Sequence, residues 1–138
     1  DMYGELKYEG KGKQLYLTDT PGELIQVFKD DATAFDGIKH DVIAGKGQLN
    51  CAISSFFFEK LQDAGIHSHY IRREGDVEMR IRELEMIPVE IVVRNVAAGS
   101  ICKRLGLEEG MTLPRPLTEL FYKSDELHDP MINTEHCE

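Results

Sequence analysis

The chain has 138 residues, enough for one ordinary domain whose core needs no disulfide or metal ion. Hydrophobic residues make up 41% and charged residues 30%, which is typical of a globular protein and excludes a disordered chain, and the apolar runs are too short to span a bilayer. The net charge of −9, from 25 acids against 16 bases, disfavours binding to nucleic acid or anionic membranes. A polyanionic ligand would therefore need a local cluster of basic residues.

The first third of the sequence predicts three β-strands followed by a loop. Apolar and polar residues alternate over residues 6–9 and 14–18, on either side of a glycine- and lysine-rich segment at residues 10–13. This pattern predicts a β-hairpin. Residues 24–29, after the turn at Pro21-Gly22, predict a third strand. Polar residues from 30 to about 47 predict a long loop, and loops of that length are often functional.

The most distinct helix is predicted over residues 48–64. Apolar residues recur there at spacings of three and four, namely Leu49, Ala52, Ile53, Phe56, Phe57, Leu61 and Ala64. Residues 69–73, 77–84 and 89–96 then predict strands, followed by a short helix at 101–105, a strand at 117–123 and an irregular tail. Ser100 is expected to cap the short helix and Gly106 to end it. Strands grouped around one long helix predict an α+β fold with an antiparallel sheet.

The glycine-lysine segment at residues 10–13 is the first candidate ligand site. It matches neither a Walker A element nor a dinucleotide fingerprint. If it is extended, Lys11 and Lys13 project to the same side about 6.6 Å apart, close enough to bind one polyphosphate. Gly10 and Gly12 would let that ligand approach the backbone. The alternative is a hairpin whose lysines protect a sheet edge from aggregation, and the pattern alone leaves both interpretations open.

The apolar run at residues 89–96 contains one arginine, Arg94. Such a run predicts a strand buried on both faces, where a guanidinium needs an anionic partner. Glu90 is about 13 Å away along a strand, too far for direct pairing. A bound phosphate or carboxylate would suit Arg94, and the helix start at Gly99-Ser100 offers a second anion site. The alternative is a structural ion pair with an acid distant in sequence and an ordinary serine cap.

The remaining polar residues give weaker signals. Lys103 and Arg104 lie in the last turn of the short helix, where cations commonly interact with the helix dipole. Asp36 and Asp129 lie in loops where most aspartates organise turns. No histidine or cysteine spacing predicts a metal site, and the start of the sequence has no signal-peptide pattern, so a cytoplasmic location is expected. The three thiols are expected to be reduced: Cys51, Cys102 and Cys137.

Several segments together resemble the phosphoribosylaminoimidazole-succinocarboxamide synthase (SAICAR synthetase) family. Residues 8–16, Tyr-Glu-Gly-Lys-Gly-Lys-Gln-Leu-Tyr, resemble that family's opening Gly-Lys-Ala-Lys hairpin, with Gly12 where alanine is usual. Residues 87–100 resemble its first signature, which is long and specific. Residues 46–50, 103–110 and 129–133 extend the resemblance over nearly the whole chain.

The resemblance implies two lobes in a layout reminiscent of protein kinases. Residues 1–84 would be a small antiparallel lobe with a helix over an ATP site, and residues 85–138 a hinge and the beginning of a second, substrate-binding α+β lobe. The implied nucleotide-binding residues are Lys11, Gly12, Lys13, Leu15, Glu85, Met86 and Lys123. The implied substrate-binding residues are Arg94, Ser100, Lys103 and Arg104. The residues implied near the reacting groups are Lys13, Arg94, Asp36 and Asp129.

The implied reaction is ATP-dependent amide formation between L-aspartate and a carboxylated aminoimidazole ribonucleotide. A carboxylate is a poor electrophile, so phosphoryl transfer from ATP would turn it into an acyl phosphate that the aspartate amine attacks. ATP and Mg²⁺ are the implied cofactors, with no metal ligand in this chain. The implied partners are the small-molecule substrates and a second copy in a homo-oligomer such as a dimer, without nucleic acid or membrane.

The resemblance also implies a longer protein, since the family continues beyond residue 138 with a second signature. We therefore expect the chain by itself to bind nucleotide poorly and to catalyse nothing. Two alternatives remain at this point. One is a stand-alone nucleotide-binding or regulatory module, and the other is a kinase-like phosphotransferase acting on a different small acid.

Overall fold

The computed structural model describes residues 3–34 and 37–138, and the chain divides into two compact units, Asp1–Glu85 and Met86–Glu138. Each unit has its own hydrophobic core. The assignment of residues 1–84 to an ATP-covering lobe and of 85–138 to a substrate lobe stays a prediction. No helix in the described ranges is both long and apolar enough to cross a membrane.

The first unit is built on a five-stranded antiparallel sheet. Its elements are β1 (Leu6–Glu9), β2 (Lys13–Leu17), β3 (Glu23–Phe28), β4 (Asp31–Ala34), β5 (Lys39–Val42), α1 (Lys46–Asp63), β6 (Tyr70–Arg73) and β7 (Glu78–Arg82). The sheet has the order β1-β2-β3-β7-β6, and every neighbouring pair is antiparallel. The predicted α+β class and the predicted hairpin are confirmed.

The helix α1 packs against β3, β6 and β7, but not with the apolar residues that revealed it. Its buried residues are Gly47, Cys51 and Ser55, four residues apart on one face, and their small side chains let the helix lie close to the sheet. Four of the apolar residues that predicted the helix are instead exposed by 54–64%: Leu49, Ile53, Phe56 and Phe57. The periodicity therefore identifies the helix correctly and does not identify its buried face.

The core of the first unit lies between this helix and the sheet. Leu24 of β3 and the alternate residues Met79 and Ile81 of β7 are buried with Tyr70 of β6. Residues two apart on a strand share a face, so these side chains form one apolar layer. Phe58 of α1 stacks on Tyr70, with ring centroids 5.6 Å apart.

The prediction of a loop over residues 30–47 is wrong in part. Strands β4 and β5 form an antiparallel pair there, from Asp31 opposite Val42 to Ala34 opposite Lys39. The sequence gives little sign of this pair, because its strands are short, polar and largely exposed. Their ladder hydrogen bonds stabilise the pair without a hydrophobic face.

The second unit contains a three-stranded antiparallel sheet and two short helices. Its elements are β8 (Val89–Val96), α2 (Ser100–Leu105), β9 (Thr112–Tyr122), β10 (Met131–Ile132) and a 3₁₀ helix (Thr134–Cys137). The sheet order is β10-β9-β8. The core consists of Ala97, Ile101 and Leu113. The tail from residue 124, which was expected to be irregular, therefore contains a short strand and a 3₁₀ helix, for which Asn133 provides a capping box.

Strand β8 is not buried on both faces as predicted from its composition. In the described structure it pairs only with β9, and Ile91 and Val93 are exposed by 69% and 61%. An apolar strand composition thus predicts strand formation better than it predicts burial.

Strand β9 starts five residues earlier than predicted and includes Pro114 and Pro116. Proline cannot donate a ladder hydrogen bond, so it is tolerated where one side of a strand has no neighbour. This condition is met because β10 pairs only with Leu120 and Phe121. A register shift between Arg94 and Val96 on β8 accompanies the proline-containing part of the ladder.

Candidate functional site

A hollow of about 310 Å³ lies in the first unit between the β1–β2 hairpin, strand β3 and helix α1. We call it the lysine hollow, because its lining contains three lysines and no acid. The lining residues are Tyr8, Gly10, Lys11, Gly12, Lys13, Gln26, Phe28, Lys46, Asn50 and Ser54. The structure therefore brings the predicted residues Lys11, Gly12 and Lys13 to one concave surface.

The turn of the hairpin is fixed by hydrogen bonds to its own strands and to Lys29. The Gly10 N–H donates to the Lys13 carbonyl at 2.8 Å, and the Lys29 N–H donates to the Gly12 carbonyl at 2.9 Å. The Lys29 ammonium donates to the Gly10 carbonyl at 3.3 Å and pairs with Glu9 at 3.2 Å. Residues 11 and 12 form a bend, so the extended spacing assumed for Lys11 and Lys13 does not apply. They share the hollow because the turn is held in this shape.

None of the three lysines of the hollow forms an ion pair with an acid in the described part of the chain. By contrast, Lys7 pairs with Glu83 and Lys29 pairs with Glu9. Three like charges that face one concavity repel one another unless an anion lies between them. This arrangement favours a polyanion site over the alternative in which the hairpin lysines only protect a sheet edge.

Lys46, Asn50 and Ser54 are functional candidates that the sequence reasoning did not single out. They are spaced four residues apart on α1 and so share one helix face, which lines the hollow. The first-turn amide of Gly47 donates to the Asp30 carboxylate at 2.8 Å, so this helix start is already compensated by a protein acid. The available signal was the polar i, i+4, i+8 spacing of these three residues, but Lys46 lay outside the predicted helix, which began at residue 48.

Two glycines near the hollow have opposite steric surroundings. A Cβ on Gly12 would meet only the Lys46 ammonium, at 3.9 Å, which is an ordinary contact. A Cβ on Gly47 would lie 2.6 Å from the Phe28 carbonyl oxygen, closer than real Cβ atoms come. Gly47 therefore sets how closely the helix and its Lys46 approach strand β3, whereas Gly12 leaves space beside the lysines.

The pKa of His69 depends in part on the positive charge of this region. Burial lowers the pKa of His69 from its usual value of 6.5, and the nearby charge of Lys13 lowers the pKa further. The ring lies against Phe58, with centroids 5.1 Å apart. The neutral form of His69 is thus favoured while the Lys13 charge has no counter-ion.

The other predicted nucleotide-binding residues lie outside the lining of the hollow. Leu15 packs against the core cluster of the first unit. Met86 is exposed by 77%, and the unit boundary falls between Glu85 and Met86. The assignment of Leu15 to the adenine base, and of residues 85 and 86 to its hydrogen bonds, stays a prediction.

In the second unit, Arg94 forms an ion pair with an acid distant in sequence, which was one of the two interpretations of this arginine. Its Nε donates to the buried carboxylate of Glu119 on β9 at 2.5 Å. Arg104 donates from Nη2 to both oxygens of the same carboxylate, at 2.9 and 2.7 Å. Burial by itself would raise the pKa of Glu119, but the hydrogen bonds and charges of Arg94 and Arg104 together lower it. Glu119 has no local sequence signal, because its partners lie 25 and 15 residues away.

Ser100 begins α2 but does not cap it, so the expected serine cap is wrong. The N-cap is Gly99, at φ 71° and ψ −140°, and the Ser100 hydroxyl accepts a hydrogen bond from Arg94 Nη2 at 3.2 Å. A Cβ on Gly99 would lie 3.8 Å from Arg94 Nη1. The predicted pair Arg94 and Ser100 therefore does come together. Gly106 ends the helix at φ 65° in the left-handed region, as predicted.

Lys123 and Asp129 contact each other, at 2.7 Å, and Lys123 also lies 3.5 Å from Glu90. The hydrogen bond to Asp129 is the main reason that the pKa of Lys123 is raised. Asp129 has φ 49° and accepts the Ser124 N–H at 2.8 Å, which is turn organisation. Lys103 is exposed in the last turn of α2, and Asp36 lies outside the described residues. Catalytic roles for Asp36 and Asp129 stay predictions.

The chain is similar to curated enzymes of known name. It is 60% identical over 129 residues to phosphoribosylaminoimidazole-succinocarboxamide synthase 1 of Agrobacterium fabrum, covering 94% of this chain and 51% of that protein. It is 53% identical over 135 residues to the synthase of Lysinibacillus sphaericus, covering 98% of this chain and 57% of that protein. The chain thus spans about half the length of the curated relatives it matches.

Solved structures show the same fold. A type-2 SAICAR synthetase in complex with ADP superposes with a TM-score of 0.91 at 52% identity, over 96% of this chain and 56% of that one. The Ehrlichia chaffeensis synthase superposes with a TM-score of 0.93 at 44% identity, over the same shares of the two chains. The SAICAR synthetase family profile matches residues 6–138. The chain therefore belongs to the SAICAR synthetase family.

Proposed function

We propose that this chain is the nucleotide-binding part of an ATP-dependent carboxylate-amine ligase of purine biosynthesis. The reaction joins L-aspartate to 5-amino-1-(5-phosphoribosyl)imidazole-4-carboxylate and releases ADP and phosphate. The observation that supports it most directly is the lysine hollow, where three ammonium groups lack an acidic partner among the described residues. The ADP complex of a relative at 52% identity supports a nucleotide as the anion.

The ammonium groups of Lys11, Lys13 and Lys46 hold the nucleotide phosphates in this proposal. Each would make a charge-assisted hydrogen bond, and together they offset the charge that otherwise repels an attacking carboxylate. Gly12 leaves space for the phosphates beside the backbone. Leu15 and the Glu85-Met86 segment bind adenine, and Lys123 contributes to nucleotide binding.

The second unit supplies contacts to the imidazole ribonucleotide. Arg94 and Ser100 hold its phosphate, with Lys103 and Arg104 nearby in sequence on α2. Arg94 and Ser100 are already joined by a hydrogen bond of 3.2 Å, so they meet a ligand as a preformed pair. This pre-organisation supports the proposal that the pair binds the phosphate, because the two side chains need little further ordering when the ligand arrives.

The chemistry depends on positioning. An oxygen of the substrate carboxylate attacks the γ-phosphorus, the bond from that phosphorus to the β–γ bridging oxygen breaks, and ADP leaves. The aspartate amine then attacks the resulting acyl carbon, phosphate leaves with the carbon–oxygen bond pair, and the nitrogen loses a proton. The lysines of the hollow contribute by fixing the phosphate chain and its charge, and Asp36 and Asp129 act near the reacting groups.

Magnesium is part of the proposed reaction as the counter-ion of ATP. The lining of the lysine hollow has no carboxylate, and no group of three or more metal-binding side chains occurs in residues 3–34 and 37–138. The residues of the lysine hollow therefore do not fit a protein-held Mg²⁺ site. A cytoplasmic location and a homo-oligomer such as a dimer complete the proposal.

The test uses a chimera in which this chain replaces the matching 135 residues of the Lysinibacillus sphaericus relative. ADP release should require both the carboxylated ribonucleotide and aspartate. Lys46→Gln should raise KM for ATP about tenfold, since it removes one charge-assisted contact of roughly 1.4 kcal/mol. Lys60→Gln, on the same helix outside the hollow, should leave KM within twofold.

The unmodified Lysinibacillus protein controls for the joined segment. ADP release that needs neither substrate would reject the ligase. An unchanged KM for ATP in Lys46→Gln would reject the role of the hollow even if the ligase activity is present.

A further inference from the structure

Glu119 occupies an unusual position for an acid. It lies in strand β9, is exposed by only 6%, and accepts hydrogen bonds from two arginines that come from different elements. A carboxylate is costly to bury unless it is paired, and one guanidinium is enough to neutralise it. The second guanidinium on Glu119 therefore requires a further explanation. We call Arg94 and Arg104 the arginine pair, and we call Glu119 its anchor.

The geometry fixes both guanidiniums. Arg94 uses Nε for Glu119, Nη1 for the Ala98 carbonyl at 2.8 Å and Nη2 for the Ser100 hydroxyl at 3.2 Å. Arg104 binds both carboxylate oxygens through Nη2 and lies 5.7 Å from the ring of Phe121. Each guanidinium has five N–H groups in a planar fork, so Arg94 keeps donors that these contacts do not use.

The group has one positive charge in excess, because two guanidiniums face one carboxylate. No second acid lies within 4.0 Å of either guanidinium in the described part of the chain. The side chains of Arg94 and Arg104 are still exposed by 15% and 31%, whereas the carboxylate is almost wholly covered. The surplus positive charge of the arginine pair is therefore accessible at the surface, whereas the carboxylate of Glu119 is not.

We propose that Glu119 is a positioning residue that holds Arg94 and Arg104 together as a preformed receptor for the phosphate group of the phosphorylated substrate. The inference rests on the proposed function and adds a residue and a division of labour to it. The arginines contact the phosphate, and Glu119 acts only through them. Because a phosphate monoester carries close to two negative charges at neutral pH, it complements the surplus charge of the pair.

Positioning and simple charge predict opposite effects of Glu119→Gln. Removing the carboxylate raises the local charge from one to two, so charge alone predicts tighter phosphate binding. Loss of the anchor frees the two guanidiniums to adopt other conformations, so positioning predicts weaker binding. The sign of the change thus decides between the two.

The experiment measures kinetics of the chimera with the phosphorylated imidazole carboxylate and with its dephosphorylated nucleoside. In Glu119→Gln, KM for the phosphorylated substrate should rise at least tenfold, while kcat/KM for the nucleoside and KM for ATP stay within twofold. A structural role alone would lower both activities together and leave the preference for phosphate unchanged. That result, or tighter phosphate binding, overturns the inference.

A second variant and a second probe keep the test independent of folding and of turnover. If thermal melting shows that Glu119→Gln does not fold, the same comparison between the phosphorylated substrate and the nucleoside is made with Glu119→Asp. This variant keeps the negative charge but shortens the anchor. In the NMR spectrum of the chimera, ribose 5-phosphate should shift the arginine Nε–H signals of Arg94 and Arg104, and ribose should not. No shift overturns the inference whether or not ligase activity is found, whereas a shift without ligase activity contradicts only the proposed function.

Discussion

The two basic clusters of this chain differ in how their charges are compensated. In the lysine hollow of the first unit, Lys11, Lys13 and Lys46 have no acidic partner in the described residues. In the second unit, Arg94 and Arg104 share the buried carboxylate of Glu119. The first cluster depends on a ligand to neutralise it, whereas the second is held in shape by the fold and has one charge left over.

This difference separates two ways to build an anion site. Flexible ammonium groups around a concavity gain order only when the anion arrives, and the hydrogen bonds of the hairpin backbone supply the rigidity. Guanidiniums anchored by an acid are ordered in advance, at the expense of part of their charge. We expect binding to the hollow to depend more strongly on salt than binding to the arginine pair.

The largest expected effect comes from removing two charges of the hollow. In the chimera, Lys11→Gln combined with Lys13→Gln should weaken pyrophosphate binding about 100-fold, since each lost charge-assisted contact is worth roughly 1.4 kcal/mol. Isothermal titration measures the change. The thermal unfolding midpoint should not fall, because neither lysine has an acidic partner to lose within the described structure.

The matched control for that variant is Lys7→Gln combined with Lys60→Gln, which removes two lysines outside the hollow. Pyrophosphate binding should then change by less than threefold. Similar losses in both double variants would mean that only the total charge matters, and the comparison between the clusters would lose its basis.

A smaller effect is expected from the glycine that sets the distance between helix and sheet. Gly47→Ala places a Cβ against the Phe28 carbonyl and should lower the free energy of unfolding by about 1–3 kcal/mol through overpacking. Gly12→Ala is the control and should lower it by less than about 0.5 kcal/mol, because only a flexible lysine tip is nearby. Denaturant unfolding of the chimera measures both, and equal losses would contradict the steric difference.

The smallest effect sharpens the electrostatic side of the comparison. Pyrophosphate in the hollow should raise the pKa of His69, because the bound anion offsets the Lys13 charge that helps to lower it. An NMR titration of the His69 ring with and without pyrophosphate measures the change. A pKa that does not move, under conditions where binding is saturated, would place the anion away from Lys13.

The same group gives a pH dependence of stability. The folded pKa of His69 lies below its unfolded value near 6.5, so the unfolded chain binds more protons. The stability that His69 contributes is therefore complete above pH 6.5 and is lost as the pH falls through the folded pKa. His69→Gln should remove this part of the dependence of the free energy of unfolding on pH. His67 is exposed, so His67→Gln serves as the control variant.

The sequence predicted much of the fold because several of its signals are local. Alternation and the glycine-containing turn gave the β1–β2 hairpin, and periodicity gave α1 to within two residues at its start. The short polar strands β4 and β5 lack such signals, and strand β9 was predicted only from residue 117, after its two prolines, although it begins at residue 112. The missed elements are those whose hydrogen-bonding partners decide their conformation.

The candidate site shows the same division. Lys11, Gly12 and Lys13 were predictable because three neighbouring residues in one turn suffice for the signal. Lys46 comes to the same hollow only through the packing of α1 on the sheet, 33 positions beyond Lys13. Arg94 was recognised as needing an anion, yet the identity of that anion as Glu119 depended on the pairing of β8 with β9.

By itself, the sequence determined the α+β class, the hairpin with its lysines, the main helix and the resemblance that the family match confirmed. Those properties follow from residue spacing along the chain, which a turn or a helix translates directly into geometry. Only the tertiary structure decided which cations are compensated and which are not. Ion pairing depends on distances of a few ångströms between residues far apart in sequence, and those distances exist only after the strands and the helix have packed.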